Sequence, residues 1–276
     1  MTRYTSKKNQ RSRQRQTVQT LGDHSYALPD VTSSLVPLWK RLLLGPLMAL
    51  GMPVYTVTML ISAQKIKDKI LSIIIPRIMA TVAKVTHNQR KLLLQHVSGR
   101  VLDVGSGGGA YLPLLSGKAS HVVCLEPIQE CHSKIRASAT QAGFQDYQVT
   151  IVPDGIDEYA SKATDQFDWI LLGNVLCEVN DLESALASVH QLLKPGGHVY
   201  FCEHIASPSG TMLRRFQNLF NPLWKRISGG CNCNRDTLYA LEGMSSWDVV
   251  SWELGLKFVG NRMVIGLARK VVQDQV

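Results

Sequence analysis

The sequence of 276 residues predicts an α/β fold, a mostly parallel seven-stranded sheet covered by helices, behind an N-terminal apolar helical segment. Three observations predict it. Between residues 100 and 270, short apolar runs of strand length alternate with helical patterns, which implies parallel strands joined by crossover helices. An apolar run at Val101–Val104 leads into the glycine-rich turn Gly105-Ser106-Gly107-Gly108-Gly109. A charge-free block precedes all of this, at Leu42–Ala63.

The first region, residues 1–35, is polar and carries Arg3, Lys7, Lys8, Arg11, Arg13 and Arg15 with no acid before Asp23. Those six residues account for most of the formal net charge of +9. The remainder is nearly balanced, so it lacks the broad cationic surface that neutralises phosphates, and no nucleic-acid partner is expected. The tail reads as disordered or as an Arg- and Ser-rich organelle-targeting segment. Residues 36–63 form the apolar segment. Its 22 uncharged residues reach the roughly 20 that cross a hydrocarbon core. Gly45, Pro46, Gly51 and Pro53 interrupt it, and a soluble helix tolerates internal prolines poorly. A membrane-associating segment is expected, either spanning or lying on the surface; an apolar helix packed on the rest of the chain is the alternative. Residues 64–98 read as a helical linker, with Ile66, Ile70, Ile73, Ile74 and Ile78 at spacings of three and four.

The domain of residues 99–276 follows. Strands are predicted at Arg100–Val104, His121–Leu125, Gln148–Val152, Phe167–Leu172, His198–Cys202, Asp248–Glu253 and Met263–Lys270. Helices are predicted to start at Tyr111–Leu115 and to span Gln129–Ala142 and Leu182–Leu193, the last stopped by Lys194-Pro195-Gly196-Gly197. Six cysteines without a disulfide-like or CxxC pattern point to a reducing compartment. Cys124, Cys177 and Cys202 lie in apolar runs and read as small hydrophobes.

The chemistry gathers where strands end. Glycines at 105 and 107 let a backbone approach a ligand without an intervening Cβ, and ligands of such sheets bind beyond the carboxyl ends of strands. Gly105-x-Gly107-x-x-Ala110 is also a partial dinucleotide fingerprint, but Tyr111 follows it directly. Asp103 precedes the turn, where a carboxylate can engage the cationic amino group of a bound amino acid. Glu126 ends the second strand, where a carboxylate can accept both hydroxyls of a ribose.

The set DVGSGGG, CLEP, FDWILLGNVL and LLKPGGHVYF, in this order, resembles the successive motifs of class I S-adenosylmethionine-dependent methyltransferases. The resemblance implies a Rossmann-like sheet with an antiparallel C-terminal strand and S-adenosylmethionine as cofactor. It implies that Asp103, Gly105, Ser106 and Gly107 cradle the methionine moiety. Glu126 would hold the ribose, with Pro127 and Ile128 beside the adenine. Asp154, Gly155 and Ile156 would stand at the adenine amino group, and Asn174 where donor meets acceptor. A closer likeness runs through Leu176-Cys177-Glu178-Val179, Glu203-His204-Ile205-Ala206, Asn221-Pro222-Leu223-Trp224, Gly229-Gly230-Cys231 and Arg235-Asp236-Thr237. It resembles the methyltransferase-like enzymes that methylate alkyl thiols on the endoplasmic reticulum and lipid droplets, though the basic tail here is longer and leaves the mitochondrion as an alternative.

A thiol must lose its proton to become a good nucleophile. His204, with an ordinary pKa near neutrality, is the candidate catalytic base. No metal is expected, because Cys231, Cys233 and His204 lack zinc spacing and a fourth ligand. Met212–Trp224 is expected to cover the site and shape an apolar acceptor pocket. The expected function is methylation of a small lipophilic acceptor, a thiol, at a membrane surface. The alternatives are a quinone precursor, sterol or phospholipid as acceptor, or a non-catalytic, membrane-tethered assembly factor that binds the donor.

Overall fold

The computed structural model describes residues 83–84, 86–258 and 261–271. The basic tail, the apolar segment and most of the helical linker lie outside the described residues, as do residues 272–276. The linker contributes α1 (His87–Leu93), and β1 (Gly99–Val104) follows. Then come α2 (Leu112–Leu115), β2 (Ala119–Leu125), α3 (Gln129–Gln141), β3 (Val149–Val152), α4 (Ile156–Lys162) and β4 (Phe167–Gly173). The chain continues through α5 (Leu182–Leu192), β5 (Leu193–Ile205), α6 (Met212–Ile227), α7 (Thr237–Gly243), β6 (Trp247–Phe258) and β7 (Asn261–Lys270).

The strand order is β3-β2-β1-β4-β5-β7-β6. β1 pairs in parallel with β2 and with β4, β2 with β3, and β4 with β5. β7 runs against both β5 and β6. The expected seven strands, mostly parallel with an antiparallel C-terminal strand, are therefore present. The order reverses at β1, so the carboxyl ends of β1 and β4 flank the point where the connections diverge and leave room for a ligand.

Both faces of the central strands are buried, and alternate residues serve them. Val101, Cys124, Trp169, Leu171 and Tyr200 pack on one face with Leu93 of α1, Leu112 and Leu115 of α2, and Ile135 of α3. Leu102, Val104, Leu125, Ile170, Leu172 and Phe201 pack on the other with Ala160 of α4, Val189 of α5 and Leu241 of α7. Each fully buried leucine or phenylalanine contributes about 1.5–3 kcal/mol, so the sheet interior dominates the stability of this region.

β5 differs from its prediction. The Lys194-Pro195-Gly196-Gly197 segment stops α5 as expected, but the chain is already in the sheet there: Leu193 pairs with Phe167 before the register shifts. Gly196 has a φ of 73°, and a Cβ on Gly197 would meet Leu193, so the glycines fold the irregularity into the strand. α5 begins at Asp181, whose side chain accepts from the amides of Glu183 and Ser184 at 2.8 and 3.0 Å. Arg214 of α6 grips Asp236, the residue before α7, with two 2.7 Å hydrogen bonds.

Candidate functional site

The glycine turn leaves β1 at its carboxyl end. The amides of Gly105 and Ser106 donate to the Leu125 carbonyl at 2.9 and 3.0 Å, which ties the turn to the end of β2. Gly105 and Gly107 have φ of 66° and 55°, values that side chains rarely adopt. A Cβ at Gly105 would press on Val175 at 2.9 Å, whereas one at Gly107 or Gly108 would meet nothing within 4 Å. The turn thus packs against the loop after β4 on one side and presents bare backbone to open space on the other. That open backbone is a cradle for a ligand.

Asp103 lies under this turn, 1% exposed. The Ser106 hydroxyl donates to its backbone carbonyl at 2.9 Å. Its Oδ2 has no hydrogen-bond partner among the described residues. Burial pushes its carboxyl up to about 7; the Ser106 hydroxyl and the Arg90 guanidinium pull it down, and the charge of Glu126 adds to the rise. An orphaned, half-ionised acid is what a cationic amino group would complete. Glu126, buried at the end of β2, accepts from the Gly107 amide at 2.7 Å and the Ile128 amide at 2.9 Å. Each of its oxygens retains a lone pair for a hydroxyl. Pro127 and Ile128 follow it, both exposed, with Ile128 at 46%. An exposed isoleucine beside a buried acid gives an aromatic ring an apolar face next to a polar grip. The residues therefore fit the amino, ribose and base moieties of S-adenosylmethionine.

Asp154 and Gly155 lie just past β3, on the same edge of the sheet; Gly155 starts α4 and Asp154 pairs with Lys162 at 3.3 Å. Ile156 is the first residue of α4; its side chain is 5% exposed and packs in the core with Val104 and Leu125. Asn174 follows β4 with a φ of 60°, an uncommon value for a residue with a side chain. Its amide donates to Cys202 O at 2.9 Å. The loop beyond it is held from beneath by Glu203, fully buried, whose Oε1 accepts from the Val175 and Leu176 amides at 2.9 and 3.1 Å. Burial pushes the Glu203 carboxyl up to about 7, and those two amides oppose the rise. Arg235 holds the same loop from outside, donating to Leu176 O at 2.7 Å and Val179 O at 2.6 Å.

Three side chains converge next to this loop. Cys231 Sγ lies 3.6 Å from His204 Nδ1. Cys177 Sγ, His204 and Cys231 Sγ all lie within 4.8 Å of one another. Hydrogen bonding from Cys177 and from His204 holds the Cys231 thiol well below its ordinary value despite burial. Cys177 is pushed up correspondingly by that same hydrogen bond and by burial. Burial works against charge on His204, but Cys231 and Glu203 outweigh it and raise its pKa. The sulfur partner of His204 is thus Cys231 together with Cys177. Cys233 turns away, its Sγ 3.5 Å from Asn221 Oδ1 and 3.7 Å from Gln217 O. Glu178, two residues from Val179's carbonyl clamp partner Leu176, is accessible to solvent yet enclosed by protein; desolvation raises its carboxyl to about 8, and the charges of Cys231, Glu203 and Glu126 add to that.

Along α6, Phe216 stacks on Phe220 at 5.7 Å between ring centroids; Met212, Phe216 and Leu219 are exposed, Leu219 at 83%, whereas Leu213, Phe220 and Trp224 are half-buried. The fully buried residues of α6 are Gln217, whose Oε1 accepts from the Ser207 amide at 2.8 Å, and Ile227.

Sequence reasoning missed Arg90, Glu203 and the role of Cys177. Arg90 lies in α1, buried with its guanidinium 3.9 Å from the Tyr111 ring centre, and nothing in the helical periodicity marks it as more than a surface charge. Cys177 reads as a small hydrophobe because its neighbours in sequence are apolar.

A family model described as a methyltransferase domain matches residues 79–248. Thiol S-methyltransferase TMT1B of Homo sapiens is 31% identical over 151 residues, covering 54% of this chain and 61% of the relative. The chain thus spans about three fifths of the length of that relative. A ubiquinone biosynthesis O-methyltransferase of Escherichia fergusonii is 32% identical over 102 residues, 37% of this chain and 41% of the relative. Among solved structures, N-methyltransferase NodS from Bradyrhizobium japonicum in complex with S-adenosyl-L-homocysteine aligns with a TM-score of 0.50 and 15% identity, over 67% of this chain and 84% of that one.

Proposed function

This chain belongs to the methyltransferase-domain family, and from that premise we propose that it methylates a small lipophilic acceptor, a thiol, with S-adenosylmethionine as donor. The observation that carries the proposal is the cradle at the ends of β1 and β2, where the orphaned Asp103 Oδ2, the open backbone of Gly107 and Gly108 and the carboxylate of Glu126 face one edge of the sheet. When bound there, S-adenosylmethionine supplies a methyl group already activated on a sulfonium.

The protein's own work is alignment and protection. Asp103 and Glu126 fix the two ends of the donor, and the packing of Gly105 against Val175 sets its distance from the loop after β4. Glu203 and Arg235 keep that loop from moving. Asn174, His204, Cys231 and Glu178 stand on the acceptor side. The thiol reading is supported by the likeness to a thiol S-methyltransferase and by the sulfur-rich acceptor side. A quinone-precursor hydroxyl is the second reading, favoured by the likeness to the ubiquinone-pathway enzyme.

A membrane surface is the proposed setting, on the endoplasmic reticulum or lipid droplets. Among the described residues no helix is long and apolar enough to cross a membrane. The support within them is α6, which shows Met212, Phe216 and Leu219 to solvent with Arg215, Lys225 and Arg226 also exposed. Such a helix can lie in a lipid interface.

The test of the acceptor is a direct comparison. The full chain in detergent is incubated with labelled donor and either a panel of alkyl thiols or a panel of catechol quinone precursors. Thiol methylation at a kcat/KM at least tenfold above any catechol is expected; the reverse order would replace the first reading with the second. His204→Ala, folded and still binding donor, is expected to lose most turnover.

A further inference from the structure

We propose that Cys177, Cys231 and His204 form a binding site for one thiophilic divalent cation, zinc in the first instance, with its fourth coordination position open to the acceptor side of the loop after β4. The second half of this proposal, that the open position takes the acceptor sulfur, rests on the thiol reading above; the first half does not.

The geometry comes first. The three ligand atoms, two sulfurs and one imidazole nitrogen, lie within 4.8 Å of one another, and Cys231 Sγ is 3.6 Å from His204 Nδ1. Around a tetrahedral zinc with Zn–S near 2.3 Å and Zn–N near 2.0–2.1 Å, a sulfur and a nitrogen are about 3.6 Å apart and two sulfurs about 3.8 Å. The observed separation between Cys231 and His204 equals that edge, so closing the set around an ion needs no displacement of that pair. Thiolate with imidazole is the donor set that selects zinc over hard cations such as magnesium or calcium.

The surroundings are built to hold it. Cys177 and Cys231 are buried, and His204 is half-buried. The three come from separate parts of the chain: the loop after β4, the carboxyl end of β5 and the loop after α6. The two cysteine loops are held by hydrogen bonds from other atoms, and Cys177 Sγ itself donates to Asn174 O at 3.5 Å. Asn232 donates from its amide and from Nδ2 to Cys177 O, at 2.9 and 3.0 Å, which joins the two cysteine loops to each other. Glu203, next to His204, takes the Val175 and Leu176 amides, and Arg235 takes the Leu176 and Val179 carbonyls. Ligand loops fixed in advance in this way are the usual outer support of a metal centre.

Among the described residues no fourth His, Cys, Asp or Glu joins the group. A purely structural zinc is normally closed by four protein ligands, whereas three ligands leave a position for water or substrate. The same loop packs Val175 against Gly105 of the glycine turn, which brings the segment that carries Cys177 next to the cradle. An alkyl thiol entering it would bind as thiolate, its S–H proton passing to bulk water.

The experiment uses the full chain in detergent, freed of metal by a chelator under reducing conditions and titrated with Co2+. One equivalent is expected to bind with thiolate-to-cobalt charge-transfer absorption and the visible bands of a tetrahedral site, and Zn2+ should displace it. Cys177→Ser and Cys231→Ser should lose the signal, with circular dichroism reporting that both remain folded, and Cys233→Ser should keep it. Adding an alkyl thiol should shift the visible bands, and a catechol should not. No stoichiometric Co2+ binding by folded protein would overturn the site, as would a Cys233→Ser variant that loses the signal as fully as Cys177→Ser, or a Cys177–Cys231 disulfide in protein isolated with thiols blocked at lysis. A formed site whose bands ignore the thiol would overturn the open position. A formed site that responds to thiol in a chain that methylates no thiol would leave this proposal standing and remove the thiol reading.

Discussion

Asp103 is held in a state that a ligand would change. Its folded pKa is raised to about 7, so near neutrality the donor-free protein holds this carboxyl partly protonated. A cationic amino group binds the ionised form. Donor affinity should therefore be full above pH 7 and about tenfold weaker at pH 6 than at pH 8, with proton release on binding near pH 7. Calorimetry in two buffers of different ionisation enthalpy measures both quantities, and Asp103→Asn should weaken binding and remove its pH dependence. The stability effect runs the opposite way. A carboxyl whose folded pKa is raised, as for Asp103 and Glu203, favours the fold fully below its ordinary value, and that contribution is lost as pH rises through about 7. Donor binding offsets the loss at Asp103, so the rise in Tm caused by S-adenosylmethionine should be larger at pH 8 than at pH 6. At this scale the sequence was informative where a motif ties a residue type to a position, as for Asp103, Gly105, Gly107 and Glu126. It was silent where only a tertiary neighbour gives the residue its meaning. Arg90 looks like any helical arginine until Tyr111 packs over it.

The strands were the most legible elements, because strands covered on both faces must be apolar at nearly every position, and a run such as Trp169–Leu172 has few other uses. Short helices were less so. α4 and α7 are seven residues each, too short for a repeating apolar face, and β5 begins within what reads as a turn. α6 shows why an apolar stripe does not announce its direction. Its amphipathic pattern is plain in the sequence, but it packs through Gln217 and Ile227 and leaves Met212, Phe216 and Leu219 outward. Met212→Ser with Leu219→Ser should therefore leave Tm nearly unchanged and reduce binding of the described domain's surface to anionic vesicles, measured by flotation of the full chain at low salt against the same chain unaltered; equal flotation would remove α6 from the membrane contact. The cap of α5 offers a cleaner case. Asp181→Ala removes the acceptor for two amides at the helix start, and a loss of about 1 kcal/mol in urea unfolding is expected.

Across the whole molecule, the parallel sheet gathers the ends of β1, β2, β4 and β5 on one edge. The donor-side residues were legible because they sit in order within two consecutive strand–turn units. The Cys177–His204–Cys231 cluster was not, because Cys177 and Cys231 come from distant loops and meet His204 only once β4 and β5 pair and the loop after α6 returns beside them. Spacing along the chain carries no trace of that meeting. The apolar segment and the basic tail lie outside the described residues, so the site is built from the domain alone.

Calorimetric titration of the full chain with S-adenosylmethionine tests the central claim most directly, with Glu126→Ala as the control and NADH as the competing ligand. One donor molecule per chain, bound at micromolar concentration and lost in Glu126→Ala, is the predicted result. Absence of donor binding by folded protein, or tighter binding of NADH, would contradict the account.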